Sequence, residues 1–135
     1  MDARLRAFVS RRAHQCCEYC RFPAELSAFP HQIDHIIPEK HGGQSQRSNL
    51  ALSCLYYNGY KGPNLAGIDP RTGEISRLFH PRRDTWSEHF RWHGARLVGL
   101  TVIARSTIHV LRINEPDLVA VRRELIACGL FPPSF

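Results

Sequence analysis

HQIDHIIPEKHGGQSQRSNLALSCLYYNGYKG, running from His31 to Gly62, is the stretch whose reading decides the fold. Its first part, HQIDHII, is rich in isoleucine and predicts a strand from His31 to Ile37. Side chains alternate across a strand, so Ile33 shares one face with His31 and His35, while Asp34 and Ile36 take the other. Pro38 ends the run. Glu39 to Ser48 is a polar loop with a Gly-Gly turn, and Asn49-Leu-Ala-Leu reads as a short second strand. Ser53 is the expected N-cap of a helix passing through Cys54, Tyr57 and Asn58 towards Lys61, closed by Gly62-Pro63.

Upstream, Leu5, Phe8, Val9 and Ala13 recur at three to four residues within Ala3–Gln15, the pattern of an amphipathic helix whose wet side carries arginines. Downstream, turn signals at Asp69-Pro70 and Thr72-Gly73 precede a strand-like Glu74–Phe79. HFRWHGARLVGLT predicts a hairpin turning near His93-Gly94, Thr101–Arg112 fits helix or strand, and Glu115–Cys128 is helical through Leu118, Val121, Leu125 and Ile126. The expected class is α+β, with residues 1–65 as a core that includes the N-terminal helix and residues 66–135 as an α/β extension packed on it.

The chain has 135 residues, enough for one hydrophobic core and too few for two large domains. Its 43% hydrophobic and 22% charged residues exclude a disordered tail, and no run reaches the roughly 18 apolar residues of a membrane span. The first residues are basic and lack an apolar signal-peptide core, so the expected location is cytoplasmic. In a reducing compartment five cysteines imply metal binding or burial rather than a disulfide framework. A formal charge of +6, carried mostly by arginine, suits a polyanionic partner.

Four pieces stand in order: CEYC at Cys17–Cys20, IDHIIP at Ile33–Pro38, SNLALSC at Ser48–Cys54 and YNGYKG at Tyr57–Gly62. Together they resemble the HNH endonuclease family, most strongly over residues 11–63. LFHPRRDTWSEHF further on resembles an extension found in many bacterial members. The resemblance implies a ββα-metal (His-Me finger) core acting on nucleic acid, with DNA the expected substrate.

Each role also has a chemical reason. The imidazole of His35 is basic enough to take a proton from water while staying largely neutral at pH 7. Asp34 offers a hard oxygen to Mg²⁺ or Mn²⁺, and strand alternation turns it away from His35. The resemblance implies Asn58 as the second metal ligand. Asn49 is expected to tie the loop to the strand and orient His35 by hydrogen bonds. His41 and Lys61 are candidate phosphate contacts.

The cysteines depart from the family pattern. Many members hold a structural Zn²⁺ with two C-x₂-C pairs; here Cys17, Cys20 and Cys54 are present, but Tyr57 occupies the fourth position. Structural zinc sites are four-coordinate with thiolate and imidazole ligands. Either another group such as His14 or His31 substitutes, or the three thiols pack with Tyr57 as a small apolar cluster. Cys16 is expected to point elsewhere, and Cys128 to be a core residue.

In the extension, Arg82, Arg83, Arg91 and Arg105 are candidates for a phosphate-tracking surface, over a subdomain core of Trp86, Phe90 and Trp92. Two main readings follow, a nuclease and a nucleic-acid-binding module that keeps the fold without cleaving. A zinc-ribbon-like interaction module is a third, in which the Asp-His-Asn set has no purpose.

Overall fold

The structure is a computed structural model and describes residues 1–135. Helix α1 (Ala3–Arg12) starts where the Asp2 carboxylate accepts the Leu5 N–H at 2.8 Å, filling one of the unpaired donors of a helix N-terminus. Its apolar face buries Val9 and Ala13 against Leu50 and Leu52, leaving the arginines outside as the periodicity demands.

Strand β1 (Gln32–His35) pairs antiparallel with β2 (Leu50–Ser53), His35 facing Leu50 and Asp34 facing Ala51 across the ladder. The strand pair is shorter than the apolar runs suggest. Asn49 falls in a 3-10 turn ahead of β2, and Ser53 belongs to β2 rather than capping the next helix. The Ser53 hydroxyl donates to the Cys54 carbonyl, and Cys54 itself is the cap residue of α2 (Leu55–Lys61).

The loop between the strands explains its two glycines. Gly42 has φ of +87°, in the left-handed region that glycine adopts without a steric penalty. At Gly43 a Cβ would stand 1.7 Å from the Ile37 carbonyl oxygen and 2.9 Å from Asn49 Nδ2. Only a residue without a side chain lets the loop close onto Ile37 and Asn49.

Two hairpins and then two helices complete the chain. Strands β3 (Ala66–Ile68) and β4 (Ile75–Arg77) form one hairpin. The one-turn helix α3 (Trp86–His89) leads into a second, β5 (Phe90–His93) with β6 (Arg96–Gly99), turning at His93-Gly94 as expected. Thr101–Arg112 resolves as helix: α4 (Val102–Leu111) starts where the Thr101 hydroxyl accepts the Ala104 N–H. It packs against β3, β4, β6 and α2. Helix α5 (Pro116–Ala127) closes the fold.

One apolar cluster runs through both stretches, joining Cys17, Tyr19, Cys20 and Tyr57 to Phe79, Phe90, Leu97, Leu111 and Ile113, with Trp86 and Trp92 packed against it. The extension therefore shares its core with the thiol segment instead of having one of its own, and the Trp86 indole N–H fixes the junction by donating to the Tyr19 carbonyl at 2.8 Å. Cys128 corrects an expectation: it is the exposed cap residue just past α5, whose inward side is Val119 and Arg122 with Leu125 and Ile126 partly buried. No helix is long and apolar enough to cross a membrane.

Candidate active site

Asp34 is the buried centre of the strand pair, 4% exposed. Its Oδ2 accepts the Tyr19 hydroxyl at 2.7 Å, and its Oδ1 lies 3.2 Å from Lys61 Nζ. Lys61 corrects the expectation of a phosphate contact. It is 2% exposed, and its ammonium also donates to the carbonyls of His35 at 2.9 Å and Ile36 at 3.1 Å. All three protons have acceptors inside the protein, so Lys61 pins α2 to β1 rather than facing solvent. Burial holds the Asp34 carboxyl above its usual value, with Lys61 and Tyr19 pulling the other way.

His35 stands on the opposite face, with its side chain 20% exposed. Its Nε2 lies 2.8 Å from the Ser45 hydroxyl and 3.4 Å from Glu39 Oε1. Asn49 is buried, and its amide spans the loop. Oδ1 accepts the Ile37 N–H at 2.8 Å, while Nδ2 donates to the carbonyls of Ile37 and Gln44, both at 3.0 Å. Ser45, which meets His35, follows Gln44 directly. Asn58 is half-buried, its side chain makes no hydrogen bond, and it lies one helical turn before Lys61 on the same face of α2. His41 is exposed, with Nε2 3.0 Å from the Pro63 carbonyl.

Two of these contacts leave no mark in the sequence. Tyr19 sits inside the C-x₂-C loop, where no periodicity marks it as a partner of Asp34. Ser45 reaches His35 only because the Asn49 amide folds the loop back. Glu39 is the exception, since its i+4 spacing from His35 was on view.

The thiols form a second site. Sγ atoms of Cys17, Cys20 and Cys54 all lie within 4.8 Å of one another, with Cys20 and Cys54 at 3.7 Å. Neither histidine considered as a substitute ligand joins them: His31 Nε2 bonds the Phe22 carbonyl, and His14 stacks on Phe135. Tyr57 closes the cluster. Burial pushes Cys17 up to about 12, hydrogen bonding with Cys17 and Cys20 raises Cys54, and burial raises Tyr57 well above the usual phenol value. Burial also works against ionising Cys20, but hydrogen bonds from Cys17, Cys54 and Tyr57 outweigh it and hold that thiol well below its usual value.

Two of the four arginines expected to track phosphate are tied to acids. Arg82 pairs with Glu18, and Arg105 pairs with Asp69 at 3.0 Å. Arg83 and Arg91 remain on the surface without an ion pair.

An Asp-His dipeptide on a short antiparallel pair, a loop pinned by a buried asparagine and a helix whose last residue, Lys61, reaches the same carboxylate define the candidate site. The family model described as HNH endonuclease matches residues 17–62, about a third of the chain. The match ends at Gly62, before β3. No curated protein and no solved structure matches the chain.

Proposed function

We propose that the protein is a metal-dependent HNH endonuclease that hydrolyses phosphodiester bonds in nucleic acid, and that DNA is its substrate. The supporting observation is the division of labour across β1: a buried carboxylate faces α2, and a solvent-reached imidazole faces the loop. In this reading residues 1–65 hold the ββα-metal chemistry and residues 66–135 are an extension packed on it.

The donor set fits a hard cation. An ionised carboxylate has about four acceptor positions, and Tyr19 and Lys61 use one on each oxygen. Asp34 thus keeps oxygen lone pairs for Mg²⁺ or Mn²⁺, and the unpartnered amide of Asn58 supplies a second oxygen. When bound, the ion would supply Lewis-acid stabilisation to the departing oxygen. His35 takes the proton of the attacking water at Nδ1, the ring nitrogen left without a partner while Ser45 and Glu39 hold the ring at Nε2. Asn49 keeps that geometry by fixing the loop through Ile37 and Gln44. His41, exposed beside the loop, is a candidate phosphate contact.

A plasmid-nicking assay with Mg²⁺ or Mn²⁺ tests this, and metal-dependent nicking that disappears with EDTA is expected. One observation favours the alternative of a binding module without cleavage: the Asp34 charge is already met by Lys61. Tight binding with no nicking in either metal would select that alternative.

The thiol cluster fits a closed zinc site only in part. With Zn–S near 2.3 Å, tetrahedral ligands lie about 3.8 Å apart, close to the 3.7 Å between Cys20 and Cys54. The fourth donor, however, is a phenol in place of a thiolate or imidazole. We therefore read the cluster as a packed knot in which Tyr57 joins the first segment to α2. Metal analysis without chelator should find little zinc in the parent and about one ion per chain in Tyr57→Cys; equal stoichiometric zinc in both would overturn the reading.

A further inference from the structure

Helix α1 carries arginines whose charge the fold leaves unused. Its sequence ARLRAFVSRR contains no acid. Arg4, Arg11 and the loop residue Arg47 are exposed, none is in an ion pair, and they line one shallow groove of about 410 Å³ floored by Ala7 and Phe8. Four-residue spacing puts Ala7 and Arg11 on one stripe, and three-residue spacing brings Arg4 beside it.

The groove is organised rather than a loose fringe of side chains. The Arg47 guanidinium lies 4.0 Å from the Phe8 ring centroid, and that of Arg12 lies 5.1 Å from the same ring. Two cations on one aromatic ring each gain from its quadrupole but repel one another. Arg12 is held in place: Nη1 donates to the Arg47 carbonyl at 2.9 Å and Nη2 to the Leu50 carbonyl at 2.7 Å, while Nε is buried without an acceptor. Burial and then Arg47 lower the Arg12 pKa, and burial and then Arg12 bring Arg82 down to about 10. The Glu18 carboxylate beside Arg82 is occupied by Arg82 and the Leu52 N–H.

Position supplies the second half of the argument. Leu50, which Arg12 grips, is the cross-strand partner of His35. Arg47 follows Ser45, the residue against His35 Nε2, by two positions. The groove and the imidazole are therefore joined by a short, pinned piece of backbone.

We propose that the α1 groove is a phosphate cradle in which Arg4, Arg11 and Arg47 grip the sugar–phosphate backbone of the nucleic acid next to the bond presented to His35. Arginine suits this task because its planar fork matches two phosphate oxygens. The surplus positive charge around Phe8 is relieved when the anion arrives. The cradle reads no bases and sets only where the strand lies. The proposal rests on nucleic acid being the partner, and its test is a binding measurement that requires no cleavage.

The experiment measures affinity of the full-length His35→Ala chain for a short fluorescein-labelled DNA duplex in EDTA across a salt series. In that background, Arg4→Gln/Arg11→Gln/Arg47→Gln is compared with Arg71→Gln/Arg96→Gln/Arg123→Gln, which removes equal charge from exposed arginines elsewhere. Loss of three phosphate contacts should flatten the log–log salt dependence by about 2.7, with the second triple unchanged. Arg47→Gln alone, a gentler change should the triple melt early, should flatten it by about 0.9. Equal flattening in both triples, or none in the first, overturns the cradle. A chain that binds no duplex even at low salt overturns the cradle and the nucleic-acid reading together. Cradle-dependent binding by a parent that nicks nothing supports the cradle and removes only the hydrolytic reading.

Discussion

A His35→Ala chain is expected to lose metal-dependent nicking by about 10²–10⁴-fold, the usual contribution of a general base, while melting at the temperature of the parent. The imidazole is partly exposed and its polar contacts are to Ser45 and Glu39 at the surface, so its removal leaves no buried group without a partner. Ser45→Ala should lower the rate far less, because it loosens the ring without removing the base. Nicking by His35→Ala at the parental rate in the same metal would show that another group activates the water.

Lys61→Met should have the largest effect on stability. Its ammonium and Asp34 form an ion pair with both side chains at most 5% exposed. Breaking such a pair by removing one partner typically costs about 3–5 kcal/mol, because the remaining charge is buried and uncompensated. The carboxyl of Asp34 is already raised by burial, against the opposing pull of Lys61 and Tyr19. A carboxyl raised on folding contributes stability that is fully present below its unfolded value near 3.9 and lost as pH rises through the folded value. Removing Lys61 enlarges the shift. The variant should therefore be weakest near neutral pH and regain part of its loss as the pH falls towards the carboxylate range. Urea melts of parent and variant at two pH values check this. A loss of the same size at both would mean that Lys61 acts through the carbonyls of His35 and Ile36 instead of the carboxylate.

Much of this layout was legible in the residues. Strand alternation placed Asp34 and His35 on opposite faces, the Gly-Gly pair marked the sharp loop, and apolar spacing marked α1 and α5. What was misread concerns long polar side chains. Lys61 at the end of a short helix looked like a solvent-facing cation, and Arg82 and Arg105 looked like surface charge. Their ends lie several bonds from the backbone, so the acceptors that claim them are set by elements distant in sequence: β1 for Lys61, the thiol loop for Arg82 and the β3–β4 turn for Arg105. Ser53 failed as a cap for a related reason, since pairing with Gln32 drew it into β2.

The sequence alone determined the order of strand, loop, strand and helix, the Asp-His-Asn set and the HNH resemblance, because these depend on local periodicity and fixed spacings. Only the tertiary structure decided that Tyr19 and Lys61 share the Asp34 carboxylate, that Ser45 reaches His35, and that Phe8 gathers Arg12 and Arg47 beside the strand pair. Each of those is a meeting of side chains far apart in the chain, which packing brings together and no local pattern encodes.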